Sequence, residues 1–181
     1  MAIAYLSLGS NIDAERNLHS AVKALRSQFG DVLLSPIYQT TAVGFDGDDF
    51  LNAAARLETG LEPAALDAWL HALEDSHGRR RDVPRFSSRP LDIDLLLYDN
   101  LVLKGRGNLE LPRPELAEQA FVLRPMLDIA PQCVHPTIGR TLREIWASMP
   151  VADRERVRVS RVGLDHQVPS TSDAAPEQKD R

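Results

Sequence analysis

The stretch "RPLDIDLLLYD", residues 89 to 99, sets two carboxylates, Asp92 and Asp94, in the middle of an apolar run. Leu91, Ile93, Leu95 and Leu97 alternate with Asp92, Asp94 and Leu96, the period of a strand with one buried face. Both aspartates then project from the other face, roughly 6–7 Å apart at the backbone, because a strand rises about 3.3 Å per residue. Carboxylates so placed repel each other and attract a cation. Such a pair can hold Mg²⁺, and two ions about 3.5–4 Å apart can clamp both oxygens of an in-line phosphoryl displacement. A solvated strand face, charged to discourage edge pairing, reads the same pattern without chemistry. On this stretch alone the solvated face is the simpler reading.

Just upstream, Arg79, Arg80, Arg81, Arg85 and Arg89 crowd one short segment of a chain whose formal net charge is −5. A local cationic patch on an acidic protein suits a small polyanion better than a nucleic-acid duplex. Arginines entering the aspartate strand can neutralise phosphate bidentately. Gly78 at the base of the segment would let it close over a substrate and exclude water. Carboxylates and arginines a few residues apart are the inventory needed for chemistry on a magnesium nucleotide. A solvated arginine loop is the plainer alternative.

Other chemical signatures are missing. The phosphate motif G-x-x-x-x-G-K-[ST], the G-x-G-x-x-G turn and the G-x-S-x-G elbow do not occur. The 5 histidines show no metal-ligating spacing. Gly9-Ser10-Asn11 offers backbone N–H groups at a strand-to-helix turn but reads as structural. His77 belongs to a helix end, where an imidazolium favours the dipole. Cys133, the single cysteine, excludes an intramolecular disulfide and reads as a small buried apolar residue.

The elements that must position these residues follow from periodicity. "AIAYLSL" is a strand. Leu18, Val22, Leu25 and Phe29 recur at helical spacing up to Gly30. "DVLLSPIYQT" is a second strand with a bulge or edge position at Pro36, and "FLNAAARLET" is a third. Pro63 opens a second helix carrying Leu66, Trp69, Leu70 and Leu73, which Gly78 ends. The aspartate strand follows, with Asp99-Asn100 turning into "LVLK" as its hairpin partner. The order β-α-β-β-α-β predicts an α+β fold, a ferredoxin-like sandwich with helices on one sheet face. "LPRPELAEQAFVLRPMLDIAP" and "TLREIWASM" add short C-terminal helices, and "RVRVSRV" a late strand. Residues 1–164 form a single domain in this reading, and 165–181 a disordered tail.

Composition agrees with a soluble globular chain: 181 residues, 43% hydrophobic and 26% charged, enough for one self-sufficient core. The amino terminus lacks a basic n-region, and its apolar run is too short for a signal peptide or membrane span. The expectation is a cytoplasmic monomer with no membrane and no nucleic-acid partner.

"FSSRPLDIDLL" resembles the signature of the 6-hydroxymethyl-7,8-dihydropterin pyrophosphokinase family of folate biosynthesis. The resemblance spans roughly residues 1 to 150 and includes "YLSLGSN", "YQTTAVG", "FLNAA", "LEDSHGRRR" and "AFVLRPMLDIAP" with a following "HP", in order and spacing. It implies transfer of pyrophosphate from ATP to the hydroxymethyl of the pterin, giving AMP. It further implies that Asp92 and Asp94 bind two Mg²⁺ ions, with ATP as co-substrate. Arg79 and Arg89 would contact the phosphates, Arg81 would help from the loop, and Glu74 would line the nucleotide site. Thr40, Val43 and Asn52 would hydrogen-bond the pterin, and Phe50 and Phe121 would stack on its two faces.

The chain departs from the family pattern in several places. Phe86 stands where tryptophan is frequent, Ser87-Ser88 replaces Gly-Pro or Ala-Pro, Phe50 replaces a frequent tyrosine, and Thr41-Ala42 replaces prolines. Arg113 stands at the usual histidine and Gln119 at a frequent arginine. This suggests a compensated swap in which Arg113 makes the charged contact with the ATP phosphates. Two rival functions fit less well. A nucleotidyltransferase would carry its glycine-serine turn close before the aspartates. An RNA-binding module of this fold class would carry an aromatic run of the K/R-G-F/Y-G/A-F-V-x-F/Y kind, absent here.

Overall fold

Alternation along the central strands assigns each side chain to one of two faces, and both faces are covered. The structure, a computed structural model, describes residues 1–41, 47–78, 88–104 and 109–164. In chain order its elements are β1 (Ala2–Ser10), α1 (Ala14–Phe29), β2 (Val32–Leu34), β3 (Tyr38–Thr40), β4 (Phe50–Thr59), α2 (Pro63–Ser76) and β5 (Asp92–Tyr98). There follow β6 (Leu103–Lys104), β7 (Glu110–Leu111), α3 (Glu115–Glu118), α4 (Ala120–Ile129), α5 (Leu142–Ser148), α6 (Val151–Glu155) and β8 (Arg158–Val159). The main sheet runs β5-β1-β4-β3-β8, with β2 also on β4, and its pairings are antiparallel. The fold is α+β.

Helices α1 and α2 cover one face. Leu18, Ala21, Val22 and Leu25 of α1, and Leu66 and Leu70 of α2, meet Ala4, Leu6, Leu8, Ala53, Ala55, Leu57, Ile93 and Leu95 from the strands. Each fully buried leucine there is worth about 1.5–3 kcal/mol of hydrophobic stabilisation. Both helices stop at glycines with left-handed backbone, Gly30 at φ 78° and Gly78 at φ 79°, as sequence reasoning expects.

The opposite face carries a second core. Leu116, Ala120, Val122, Leu123 and Met126 from α3 and α4, with Leu142 and Ile145 of α5, pack on Ala54, Leu96 and Leu97. The sequence reading placed the main helices on one face and left the C-terminal ones unassigned. The run Ala53-Ala54-Ala55 explains the result: small residues alternate to both faces of β4, so helices approach from both sides.

Three local expectations need correction. "DVLLSPIYQT" is two strands, because Pro36 has no N–H for the ladder; Ser35 bridges the break, its Oγ accepting from the Ala54 N–H at 2.8 Å. "LVLK" does not pair with the aspartate strand: β6 pairs with β7. The chain is instead clasped to β1 by Asp99, whose N–H donates to the Ile3 carbonyl at 2.8 Å and whose Oδ1 accepts from the Ile3 N–H at 2.8 Å. Finally, the β1–β5 register shifts between Tyr5 and Leu6, so Leu95 opposes Leu6 while Leu97 opposes Tyr5. This bulge puts Leu97 in the second core beside Leu96, whereas strict alternation put it with Leu95.

Candidate active site

Register brings the chemistry-bearing residues into one cross-strand row. Asp92 lies opposite Gly9, Gly9 opposite Asn52, and Asn52 opposite Tyr38. Paired residues share a face, so Asp92, Asn52 and Tyr38 project from the same side of the sheet. The neighbouring row is Asp94, Ser7 and Ala54. Strands lie about 4.8 Å apart, which puts Asp92 and Asn52 roughly 10 Å apart across a glycine. A Cβ on Gly9 would meet Asn52 Oδ1 at 3.3 Å, so this floor stays low because Gly9 has no side chain.

Each aspartate has an arginine. Arg89 Nη1 lies 2.6 Å from Asp92 Oδ2, with side-chain exposures of 20% and 22%. Arg113 Nη2 lies 2.9 Å from Asp94 Oδ1, with exposures of 23% and 28%. Arg113 Nε is also 3.5 Å from Glu115 Oε2; it is buried and makes no hydrogen bond among the described residues, so this is an ion pair at its outer limit, without hydrogen-bond alignment. The carboxylates do not confront each other uncompensated, as their spacing alone suggests.

The strand turn before α1 holds Arg89 in place. The Arg89 N–H donates to Asn11 Oδ1 at 2.7 Å, and the Asn11 N–H donates back to the Arg89 carbonyl at 3.1 Å. Asn11 Nδ2 reaches the Asp48 carbonyl at 3.1 Å and Ser88 Oγ at 3.3 Å, while Ser10 Oγ donates to the Pro90 carbonyl at 2.5 Å. The turn is structural, as expected, but what it positions is the arginine entering the aspartate strand. Sequence reasoning missed this role of Ser10 and Asn11.

Glu74 sits beneath the strand. It is 1% exposed, and its Oε1 accepts from the Ile93 N–H at 2.8 Å. Ile93 separates the two aspartates, so α2 fixes the backbone on which both are mounted.

On the far side of Gly9, Asn52 Nδ2 donates to Thr40 Oγ1 at 3.0 Å, both residues being buried. Phe50 pairs with Thr40 at the same end of the sheet. Phe121, half-buried on the first turn of α4, packs against the second core that covers this face. Thr40, Phe50, Asn52, Asp92 and Asp94 are therefore brought to one end of one face. Val43, Arg79 and Arg81 lie outside the described residues, as do Arg80, Arg85, Phe86, most of the arginine loop and the tail from 165 on.

A second unanticipated cluster borders the site. Tyr38 Oη donates to Asp128 Oδ2 at 2.7 Å, Arg124 Nη1 lies 3.2 Å from Asp128 Oδ1, and the Arg124 guanidinium stands 4.8 Å over the Tyr38 ring. Burial first, then the bond to the Asp128 carboxylate, pushes the Tyr38 phenol up to about 12. The Arg124–Asp128 spacing is visible in sequence as an i,i+4 pair, but nothing local signals the tyrosine 90 positions earlier.

The donor set is oxygen, from two carboxylates about a quarter exposed. Among the described residues no group of three or more His, Cys, Asp or Glu could enclose a metal. That suits Mg²⁺, which keeps water and substrate phosphates in its shell and takes one or two carboxylates from the protein. No helix among the described residues is long and apolar enough to cross a membrane.

The α+β sheet thus carries paired carboxylates and arginines at one end, an inventory suited to chemistry on a magnesium nucleotide. Residues 5–131 match the sequence profile of 7,8-dihydro-6-hydroxymethylpterin-pyrophosphokinase (HPPK), and the chain belongs to that family. It is similar to the 2-amino-4-hydroxy-6-hydroxymethyldihydropteridine pyrophosphokinase of Bacillus subtilis, 35% identical over 94% of this chain and 98% of that protein. It is 33% identical to the folic acid synthesis protein FOL1 of Dictyostelium discoideum over 82% of this chain, but spans 22% of that protein's length. The fold matches a crystal structure of Plasmodium falciparum HPPK-DHPS (S436F/A437G/A613T triple mutant with STZ-DHP) with a TM-score of 0.70 at 13% identity, covering 87% of this chain and 46% of that one.

Proposed function

We propose that the protein transfers pyrophosphate from Mg-ATP to the hydroxymethyl group of 6-hydroxymethyl-7,8-dihydropterin, releasing AMP in folate biosynthesis. The observation that carries this reading is the row Asp92–Gly9–Asn52, which sets a carboxylate pair and a buried amide on either side of a side-chain-free floor. The pterin lies toward Asn52 and Thr40, whose side chains hydrogen-bond its edge together with Val43, while Phe50 and Phe121 stack on its faces. The nucleotide lies toward the aspartates. Asp92 and Asp94 would hold two Mg²⁺ ions, which when bound neutralise phosphate charge and align the attacking and leaving oxygens.

The remaining work belongs to the chain's own groups. Arg89, held at its backbone by Asn11, presents a fixed guanidinium to phosphate oxygens, joined by Arg79 and Arg81. Arg113 supplies a permanent charge at the site's second margin, and Gln119 a neutral hydrogen bond. Glu74 serves the nucleotide site from below by fixing Ile93. Holding the pterin hydroxyl and the β-phosphorus in one orientation turns a bimolecular encounter into an intramolecular step.

The strand order β5-β1-β4-β3 with α1 and α2 on one face supports a ferredoxin-like description of residues 1–164. We read the protein as a cytoplasmic monomer acting on small molecules, with no nucleic-acid partner. Incubation with Mg-ATP and the hydroxymethyl pterin tests the function: AMP should form only when the ATP, pterin and metal are all present. Pyrophosphate release would indicate nucleotidyl transfer instead.

A further inference from the structure

The Arg113–Asp94 contact carries a consequence beyond phosphate binding. Arg113 Nη2 stands at 2.9 Å from Asp94 Oδ1, and the residue is held there by its backbone. Its backbone N–H donates to the Leu96 carbonyl at 2.9 Å, tying it to the aspartate strand itself, and Glu115 Oε2 lies 3.5 Å from its Nε. The guanidinium is thus a tethered cation resting on a carboxylate that the proposed function assigns to metal.

We infer that Arg113 is a resident counter-cation of Asp94 that weakens binding of free divalent metal and is drawn off by nucleotide phosphate, so that metal and nucleotide load together. This rests on the reading of Asp92 and Asp94 as metal ligands. A divalent ion arriving alone meets a fixed positive charge and a carboxylate lone pair already used. With triphosphate present, the same guanidinium gains phosphate oxygens as acceptors and the repulsion becomes attraction. Arginine suits the task because it stays charged throughout the working pH range and its planar fork serves carboxylate and phosphate alike. The contact has a different explanation if Arg113 merely orients Asp94: loss of a group that orients a metal ligand weakens metal affinity, typically by about 10- to 100-fold. The two accounts predict opposite signs.

The test is binding of Mn²⁺, counted by the electron paramagnetic resonance of the free ion, to wild type, Arg113→Gln, Arg113→Lys and Asp94→Asn, without and with a non-hydrolysable ATP analogue. Circular dichroism melting confirms that each variant is folded. Without nucleotide, Arg113→Gln should bind Mn²⁺ at least about tenfold more tightly, the scale of one nearby unit charge acting on a divalent ion through a water-like dielectric. Arg113→Lys should stay near wild type. With the analogue, Arg113→Gln should bind more weakly than wild type. Unchanged or weaker binding of free Mn²⁺ by Arg113→Gln would overturn the inference while leaving the metal assignment intact, provided that Asp94→Asn abolishes binding. If Asp94→Asn has no effect on Mn²⁺ binding with the analogue, the metal assignment itself fails and the inference with it.

Discussion

The Glu74 carboxylate accepts a hydrogen bond from the Ile93 N–H at 2.8 Å, reaching from the last turns of α2 to the peptide between the two aspartates. Glu74 is 1% exposed, so this bond is made out of water. A hydrogen bond contributes about 0.5–1.5 kcal/mol, and leaving the buried donor unpaired adds about 1–3 kcal/mol to the loss. Glu74→Ala should therefore lower unfolding stability in urea by about 2–4 kcal/mol. Glu74→Gln, which retains an acceptor, should cost about half as much or less. A Glu74→Ala variant as stable as wild type would mean that the contact does not hold the strand.

The aspartates should behave differently. Like charges two positions apart suggest that removing one would relieve repulsion, but Arg89 and Arg113 already offset them. These pairs are about a quarter exposed, so Asp92→Ala and Asp94→Ala should each shift stability by no more than about 1 kcal/mol. Turnover should fall by more than about 1,000-fold in both, because the phosphate-orienting centre is lost. A stability gain well above that range, or near-normal turnover at saturating Mg²⁺, would contradict the paired description.

Much of this was legible in the sequence because the signals were local. The period of "LDIDLLLYD", the glycine stops of α1 and α2, and the motif order each report a neighbourhood of a few residues. What escaped depends on register. The bulge that moves Leu97 to the second core requires knowing how β5 lies on β1. The Asn11 clasp on Arg89 joins residues 78 positions apart. The arginine on Asp94 likewise follows from packing, since Arg113 reaches it through the turn after β7, whereas Arg89 and Asp92 are only three positions apart.

Gly9 gives a direct test of the site floor. Because a Cβ there would meet Asn52 Oδ1 at 3.3 Å, Gly9→Ala should displace the Asn52 amide slightly and raise the KM for pterin, leaving the KM for ATP near wild type. Gly9→Val, with branches filling the space between Asp92 and Asn52, should reduce kcat/KM by about 100-fold, the scale set by ångström-level misplacement. Unaltered pterin kinetics in Gly9→Val would place the substrate elsewhere.

Acid should destabilise the fold through His135. Burial holds its imidazole below the ordinary histidine range, and Nδ1 accepts from the Ile138 N–H at 3.4 Å. The unfolded chain binds the proton more readily, so the stabilisation is present above the unfolded value near 6.5 and is lost as pH falls through the lower folded value. Melting temperature should drop as pH goes from about 7 to 5, and His135→Asn, which keeps an acceptor but cannot titrate, should flatten that drop. An identical pH dependence in the variant would assign the acid sensitivity to other groups.

Passage of a two-phosphoryl unit from ATP to the pterin at the Asp92–Asn52 row would leave a distinct product. Mass spectrometry of the pterin product tests this most directly, with adenine nucleotides quantified in the same reaction. A pterin carrying two added phosphoryl groups and AMP in equal amount should form, and neither product should form with Asp92→Ala or Asp94→Ala. A pterin carrying one phosphoryl group with ADP, an adenylylated pterin with pyrophosphate, or an unmodified pterin would contradict it.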